Sequence, residues 1–225
     1  MALLNRKYYQ EKYEKAILNM KRDSNRVLIE IAAQHPLIDS LYPNDEFKAR
    51  LDMGIYLYHK LLKEGYDVII YVPGSLHKNP DGLISKVSLS DAGCSYLIKN
   101  GLPREILRGN EYNSKYDKER AYPGVYNSAD ECFIASKIFN DKKENFSKLI
   151  CICSPNQSIR KTLFYIDNEV IPLVYTVPVL NSFHNVIGEV YDCIPYVLEV
   201  DHNQQELGSK EAIRTRNERM VKWLK

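Results

Sequence analysis

The chain has no apolar stretch approaching the roughly 20 residues that a membrane-spanning helix needs. Its first residues, MALLNRKYYQEKYEKAILNMKRD, hold no continuous hydrophobic region and no small-residue cleavage pattern, so no secretory leader is expected. These absences set the expectation of a cytoplasmic protein with no membrane partner. Charge of one sign is missing as well: 31 basic against 29 acidic residues leave a net +2. With both signs interspersed, composition gives no push toward nucleic acid. The basic stretch KEAIRTRNERMVKWLK is interrupted by Glu211 and Glu218 and reads as a packed closing helix with Ile213, Val221 and Leu224 inward. Cysteine is scarce and odd in number. Cys94, Cys132, Cys151, Cys153 and Cys193 sit in apolar runs with no His or Cys at ligand spacing, which argues for buried reduced thiols and against a zinc site. The GxGxxG turn, the Walker lysine loop, the GxSxG elbow and HExxH are all absent, so the familiar nucleotide and hydrolase classes gain no support. Catalytic residues stay unassigned.

What is present is an ordinary globular composition, 225 residues with 44% hydrophobic and 27% charged, enough for one sizeable core. Short apolar runs alternate with helical stripes. RVLIEIAA (26–33), DVIIYV (67–72) and KLICICS (148–154) read as strands, with shorter ones expected in REILRG (104–109), VIPLVYTVPV (170–179) and CIPYVLEV (193–200). Between them the periodicity predicts helices, one of them capped by Asp45 with a stripe of Phe47, Leu51, Ile55, Tyr58 and Leu62, and others at about 89–100, at SADECFIASKIF, after Gln157 and at 204–224. Strands alternating with helices imply an α/β fold, a mainly parallel sheet of about five strands centred on 67–72 and 149–154 with helices on both faces. Residues 1–24 form a helical arm, with Tyr9, Tyr13, Ile17 and Met20 on one face. Residues 25–200 form the α/β domain, and 201–225 a helix packing on it. The polar, tyrosine-rich stretch 110–126 is long for a βα connection and reads as a lid or insertion.

Three strand ends carry polar clusters: Gly74, Ser75 and His77; Asn127, Ser128, Asp130 and Glu131; and Ser154, Asn156, Gln157 and Arg160. In a parallel sheet all three lie on the carboxyl edge, where open α/β sheets bind ligands. Taken singly, Gly74 is a turn, Asn127 a helix cap, Asp130 and Glu131 complements to a helix dipole, and Arg160 a solvated charge. Together they outline a crevice for an anionic or nucleotide-like ligand. Helix N-termini offer free N–H groups, and Arg160 adds a donor fork. Lys161, about 100° further round the helix, is expected to matter much less. Asp130 and Glu131 suit ribose hydroxyls, a divalent cation or a base, and His77 an acid/base.

The order of motifs resembles the YdcF/SanA/ElyC family of bacterial proteins, over about residues 27–179. Its pattern runs from a helix-opening arginine, here Arg50, through an SGG-like strand end, replaced by VPGS (72–75), to SLSDAGCSYLIKNGLPREI (88–106). NSADEC (127–132) then stands for NTxENA, and CSPNQSIRK (153–161) for TSxxHxxRA. Gln157 takes the place of that family's histidine and Glu131 that of its second asparagine. The resemblance implies a Rossmann-like three-layer sandwich and a small-molecule site, with S-adenosylmethionine among the ligands, since a cytosolic member is reported to bind it. The expectation is therefore a small-molecule-binding protein, with an enzyme acting on that ligand left open. The alternative is a non-catalytic module that meets a protein partner through the polar edge or the 110–126 loop.

Overall fold

A computed structural model describes residues 6–20, 22–35, 37–77, 84–119 and 122–177, with Glu218 and Val221. After helix α1 (Arg6–Met20) come strand β1 (Arg26–Ile31), helix α2 (Asp45–Lys63) and strand β2 (Asp67–Tyr71). Helix α3 (Leu89–Lys99), a 3-10 turn (Arg104–Ile106), strand β3 (Leu107–Arg108) and helix α4 (Asn110–Lys115) follow. Helix α5 (Ser128–Asn140), strand β4 (Lys148–Cys153), a 3-10 turn (Pro155–Gln157), helix α6 (Ser158–Asp167) and strand β5 (Leu173–Thr176) complete the series. The strand expected at 193–200, Cys193 and the turn Asn79-Pro80-Asp81-Gly82 lie outside the described residues. Of the closing helix expected at 204–224, only Glu218 and Val221 are described, both helical.

All five strands are parallel, in the order β3-β2-β1-β4-β5, and the fold is a Rossmann-like α/β sandwich. The centre of the sheet is β1. It pairs Val27 with Val68 of β2 on one side and with Lys148 of β4 on the other. The two strands expected at the centre, 67–72 and 149–154, flank it instead. β1 is as long as β4, and five of its six residues are buried, as a strand covered on both faces must be.

Alternation along β1 divides the core. Val27, Ile29 and Ile31 join Val68, Ile70, Ile150 and Ile152 beneath Phe47, Leu51 and Leu57 of α2 and Leu97 of α3. Leu28 faces the other layer with Ile69, Tyr71, Leu149, Cys151 and Cys153, against Cys132, Ile134 and Phe139 of α5 and Tyr165 of α6. Each fully buried Phe or Leu contributes roughly 1.5–3 kcal/mol of transfer free energy. Helix α2 is capped by Asn44, whose side chain accepts from Phe47 N at 2.9 Å. Asp45, expected as the cap, is the first helical residue, where its charge complements the helix dipole. Leu62 is exposed and Leu61 takes the buried place.

One further expectation changes. In α1, Tyr13 and Ile17 are exposed while Ala16 is wholly buried, so the inward face turns on a small residue and on Asn19. Asn19 Nδ2 donates to the Glu169 carbonyl at 2.9 Å, and Lys12 pairs with the Glu169 carboxylate at 3.2 Å. Of the stretch expected as a lid or insertion, Tyr116, Tyr122 and Val125 are buried, and Asn113 accepts from the Tyr71 hydroxyl at 2.7 Å. The described cysteines, Cys94, Cys132, Cys151 and Cys153, are free and buried. Among the described residues no helix is long and apolar enough to cross a membrane.

Candidate functional site

Winding reverses between β1 and β4, so their carboxyl ends diverge into loops on opposite layers, the place where open α/β sheets form a crevice. Hydrogen bonds join the surrounding segments into a rim. Ser75 N donates to the Val125 carbonyl at 2.9 Å, and its Oγ accepts from Val125 N at 2.7 Å. Glu131 Oε1 accepts from Ala33 N at 3.3 Å, joining α5 to the end of β1. Ser154, wholly buried at the end of β4, accepts from Arg50 Nη2 at 2.7 Å and donates to Glu46.

Arg50 organises the β1 side. It is fully buried, and its Nη1 donates to the Ala32 and Ala33 carbonyls at 2.9 and 3.0 Å. Nη2 serves Gln34 Oε1, Glu46 and Ser154. Glu46 lies one helical turn before Arg50, and its side chain keeps 16% of its surface at the mouth.

Beneath the crevice on the other layer lies a polar network that the sequence reading missed. Lys161, 0% exposed, donates to Glu30 Oε1 at 2.9 Å and to Glu131 Oε2 at 2.6 Å. Tyr165, one turn on, donates to Glu30 Oε2 at 3.1 Å. Burial raises the pKa of Glu30; Lys161 works against that rise and Glu131 adds to it. Burial disfavours the Lys161 ammonium, yet Glu131 and Glu30 outweigh it and leave its pKa well above the usual value. Arg160, expected to be the ligand contact of the two, is half-buried on the first turn of α6, whereas Lys161 is wholly buried and serves the core. Glu30, a carboxylate flanked by apolar residues in RVLIEIAA, was the available signal, because a buried charge requires a partner.

The expected site residues divide. Gly74 holds φ +109° at the end of β2, and a Cβ there would sit 2.6 Å from Leu89 Cβ, so this turn requires glycine. Asn127 caps α5, its side chain accepting from Asp130 N at 3.0 Å. Ser128 lies half-buried beside it. Asp130 is turned into its own loop, accepting from the Tyr122 hydroxyl at 2.8 Å and Tyr126 N at 3.0 Å. Glu131 instead reaches the crevice, 10% of its side chain exposed. Asn156 and Gln157 form the turn before α6, a helix whose first turn no side chain caps, unlike α2, α3 and α5. The Gln157 Oε1 atom is buried and finds no hydrogen-bond partner among the described residues. Among those residues no group of three or more His, Cys, Asp or Glu side chains is placed to hold a metal ion.

His77 stacks on His35, ring centroids 3.8 Å apart at 24°, joining the loops after β2 and β1. Burial and then the neighbouring His35 lower the His77 pKa to about 4, and burial lowers that of His35 against Glu131 and Glu46. A histidine with a depressed folded pKa binds fewer protons folded than unfolded, so its contribution is present above the ordinary value near 6.5 and lost as pH falls toward 4. The melting temperature should therefore decline across that window, and more shallowly in His77→Asn. Equal slopes in thermal scans of both proteins would show that the stacked pair carries none of the acid sensitivity.

Set against family models, curated proteins and solved structures, the chain finds no significant match. The fold and its edge crevice define it as a Rossmann-like α/β chain, and the function has to be read from the crevice itself.

Proposed function

We propose that the chain is a cytoplasmic binder of a nucleotide-like small molecule, seated in the crevice between the carboxyl ends of β1 and β4. The observation that carries this reading is Gln157 Oε1, a buried acceptor without a partner among the described residues at an uncapped helix start. Buried polar atoms are nearly always hydrogen-bonded, so this acceptor is open to a donor from water or from a ligand. On the same edge, the side chains of Glu46 and Glu131 keep 16% and 10% of their surface exposed and suit ribose hydroxyls. Ser75, Asn156 and Arg160 belong to the same edge. The resemblance to the YdcF/SanA/ElyC family supports a ligand at this edge and brings S-adenosylmethionine into consideration. Gln157 stands where that pattern has histidine, so no acid, base or metal role is carried over with it. A divalent cation is a second candidate, because carboxylates are the ligands such hard ions take.

The test is thermal unfolding of the full chain with adenosine, AMP, ATP and S-adenosylmethionine, each with and without magnesium. A ligand at a hundred times its Kd stabilises by about 2.7 kcal/mol, a clear rise in melting temperature. That rise should shrink at least tenfold in apparent affinity for Gln157→Leu. No shift across the panel, or an unchanged shift in the variant, would retire the reading.

A further inference from the structure

We propose that Glu30, Lys161 and Glu131 hold one transferable proton, and that this proton reaches the crevice through Glu131. Two carboxylates and one ammonium, all ionised, would place a net negative charge in the core, which burial penalises heavily. One ammonium, one carboxylate and one neutral acid are together uncharged. Two arrangements satisfy that condition. In one, Glu30 is the acid and Lys161 pairs with Glu131 at 2.6 Å; in the other, Glu131 is the acid and Lys161 pairs with Glu30 at 2.9 Å.

Exchange between them needs no movement of the backbone. Lys161 gives a proton from Nζ to Glu131 Oε2, breaking an N–H bond and forming an O–H bond. The amine so formed takes the acid proton of Glu30, so an O–H bond breaks there and the N–H bond is remade. The net charge is zero before and after. Each carboxylate has a further donor for its ionised form: the Tyr165 hydroxyl at 3.1 Å on Glu30, and Ala33 N at 3.3 Å on Glu131. The other titratable groups facing the trio are Cys151 and Cys153 of β4 and Cys132 of α5, with His35 over Glu131 and Arg50 beyond Cys153. The thiols of Cys132 and Cys151 have pKa values pushed well up by burial, so neither adds a negative charge. Burial likewise favours the proton on Glu30.

Only Glu131 of the three has an outlet: 10% of its side chain is exposed, against 0% for the other two. Lys161 is thus a positioning residue for a crevice carboxyl, and Glu30 is the store behind it. The part played toward a ligand rests on the crevice being the binding site, while the proton pair itself does not.

The experiment is carboxyl carbon-13 spectroscopy of the full chain labelled at glutamate, near neutral pH and without ligand. The wild type should show one protonated glutamate signal that is lost in Glu30→Gln. In Glu131→Gln, the Glu30 signal should move to the ionised position, since Lys161 then has no other carboxylate. Glu30 ionised in the wild type, or still protonated in Glu131→Gln, would overturn the proposal. Should Glu131→Gln fail to fold, Glu30→Gln decides: a protonated glutamate signal that persists in that variant overturns the proposal. A ligand panel without hits beside the expected Glu30 signal would retire the binding reading and leave the proton pair standing.

Discussion

Replacing Lys161 by methionine is expected to lower the unfolding free energy by about 3–5 kcal/mol, the usual consequence of breaking a buried ion pair from one side. Methionine fills a similar volume, so the loss would come from electrostatics and not from a cavity. Glu30 and Glu131 would be left facing each other in the core, with the Cys151 thiol, the Tyr165 hydroxyl and Ala33 N as donors among the described residues. Desolvation can exceed the attraction within a buried pair, so an apolar replacement of the whole network behaves differently from removal of one member. The triple variant Glu30→Leu, Glu131→Leu, Lys161→Met should therefore recover most of what the single variant loses. Arg160→Met, one residue away on the half-buried side of α6, should lose markedly less than Lys161→Met. Denaturant unfolding of the four proteins measures this, with unchanged slopes showing that stability alone has moved. A triple variant as unstable as Lys161→Met would mean that the network contributes shape and packing rather than paired charge.

The contrast between Arg160 and Lys161 shows where sequence reading succeeds and where it stops. Strand and helix alternation is a local property, so β2, β4 and helices α3 and α5 between them could be read from runs and stripes. The carboxyl edge then followed from topology, since the sheet is parallel throughout. Rotation of a short helix about its axis is not local. Helix α6 opens with two adjacent cations, and which one faces inward depends on Glu30, 131 positions earlier in the chain. The same holds for Asp130 and Glu131, neighbours turned about 100° apart: one is claimed by Tyr122 and Tyr126 of its own loop, the other by Lys161. The strongest signal left unused was Glu30 itself, a carboxylate in the middle of the sheet's central strand. Asn44 and Asp45 differ for a smaller reason, since both suit a helix start and only the backbone conformation of Asn44, extended at φ −72° and ψ 173°, makes it the cap.

Arg50→Ala should be the most damaging single change on the β1 side, again about 3–5 kcal/mol, because it strips a fully buried cation from five acceptors at once. The Ala32 and Ala33 carbonyls end the central strand and would lose their partner away from bulk water, and Glu46 would lose its counter-charge. Arg50→Lys is expected to restore only a minor part. The guanidinium spans both backbone carbonyls with Nη1 while Nη2 reaches Glu46 and Ser154, and a single ammonium nitrogen cannot occupy both positions. The pair Arg50 and Glu46 can be isolated by a double-mutant cycle with Arg50→Met and Glu46→Gln, for which contacting charged residues give coupling energies of about 0.5–3 kcal/mol. Ligand affinity adds a second readout. Ser154→Ala removes the hydroxyl that joins β4 to this cluster but leaves Arg50 with its backbone acceptors, so it should weaken binding in the crevice more than it lowers the melting temperature. A Ser154→Ala protein with full ligand affinity and reduced stability would assign the cluster to holding β1 and β4 together, and would move the ligand contacts to Gln157 and Glu131.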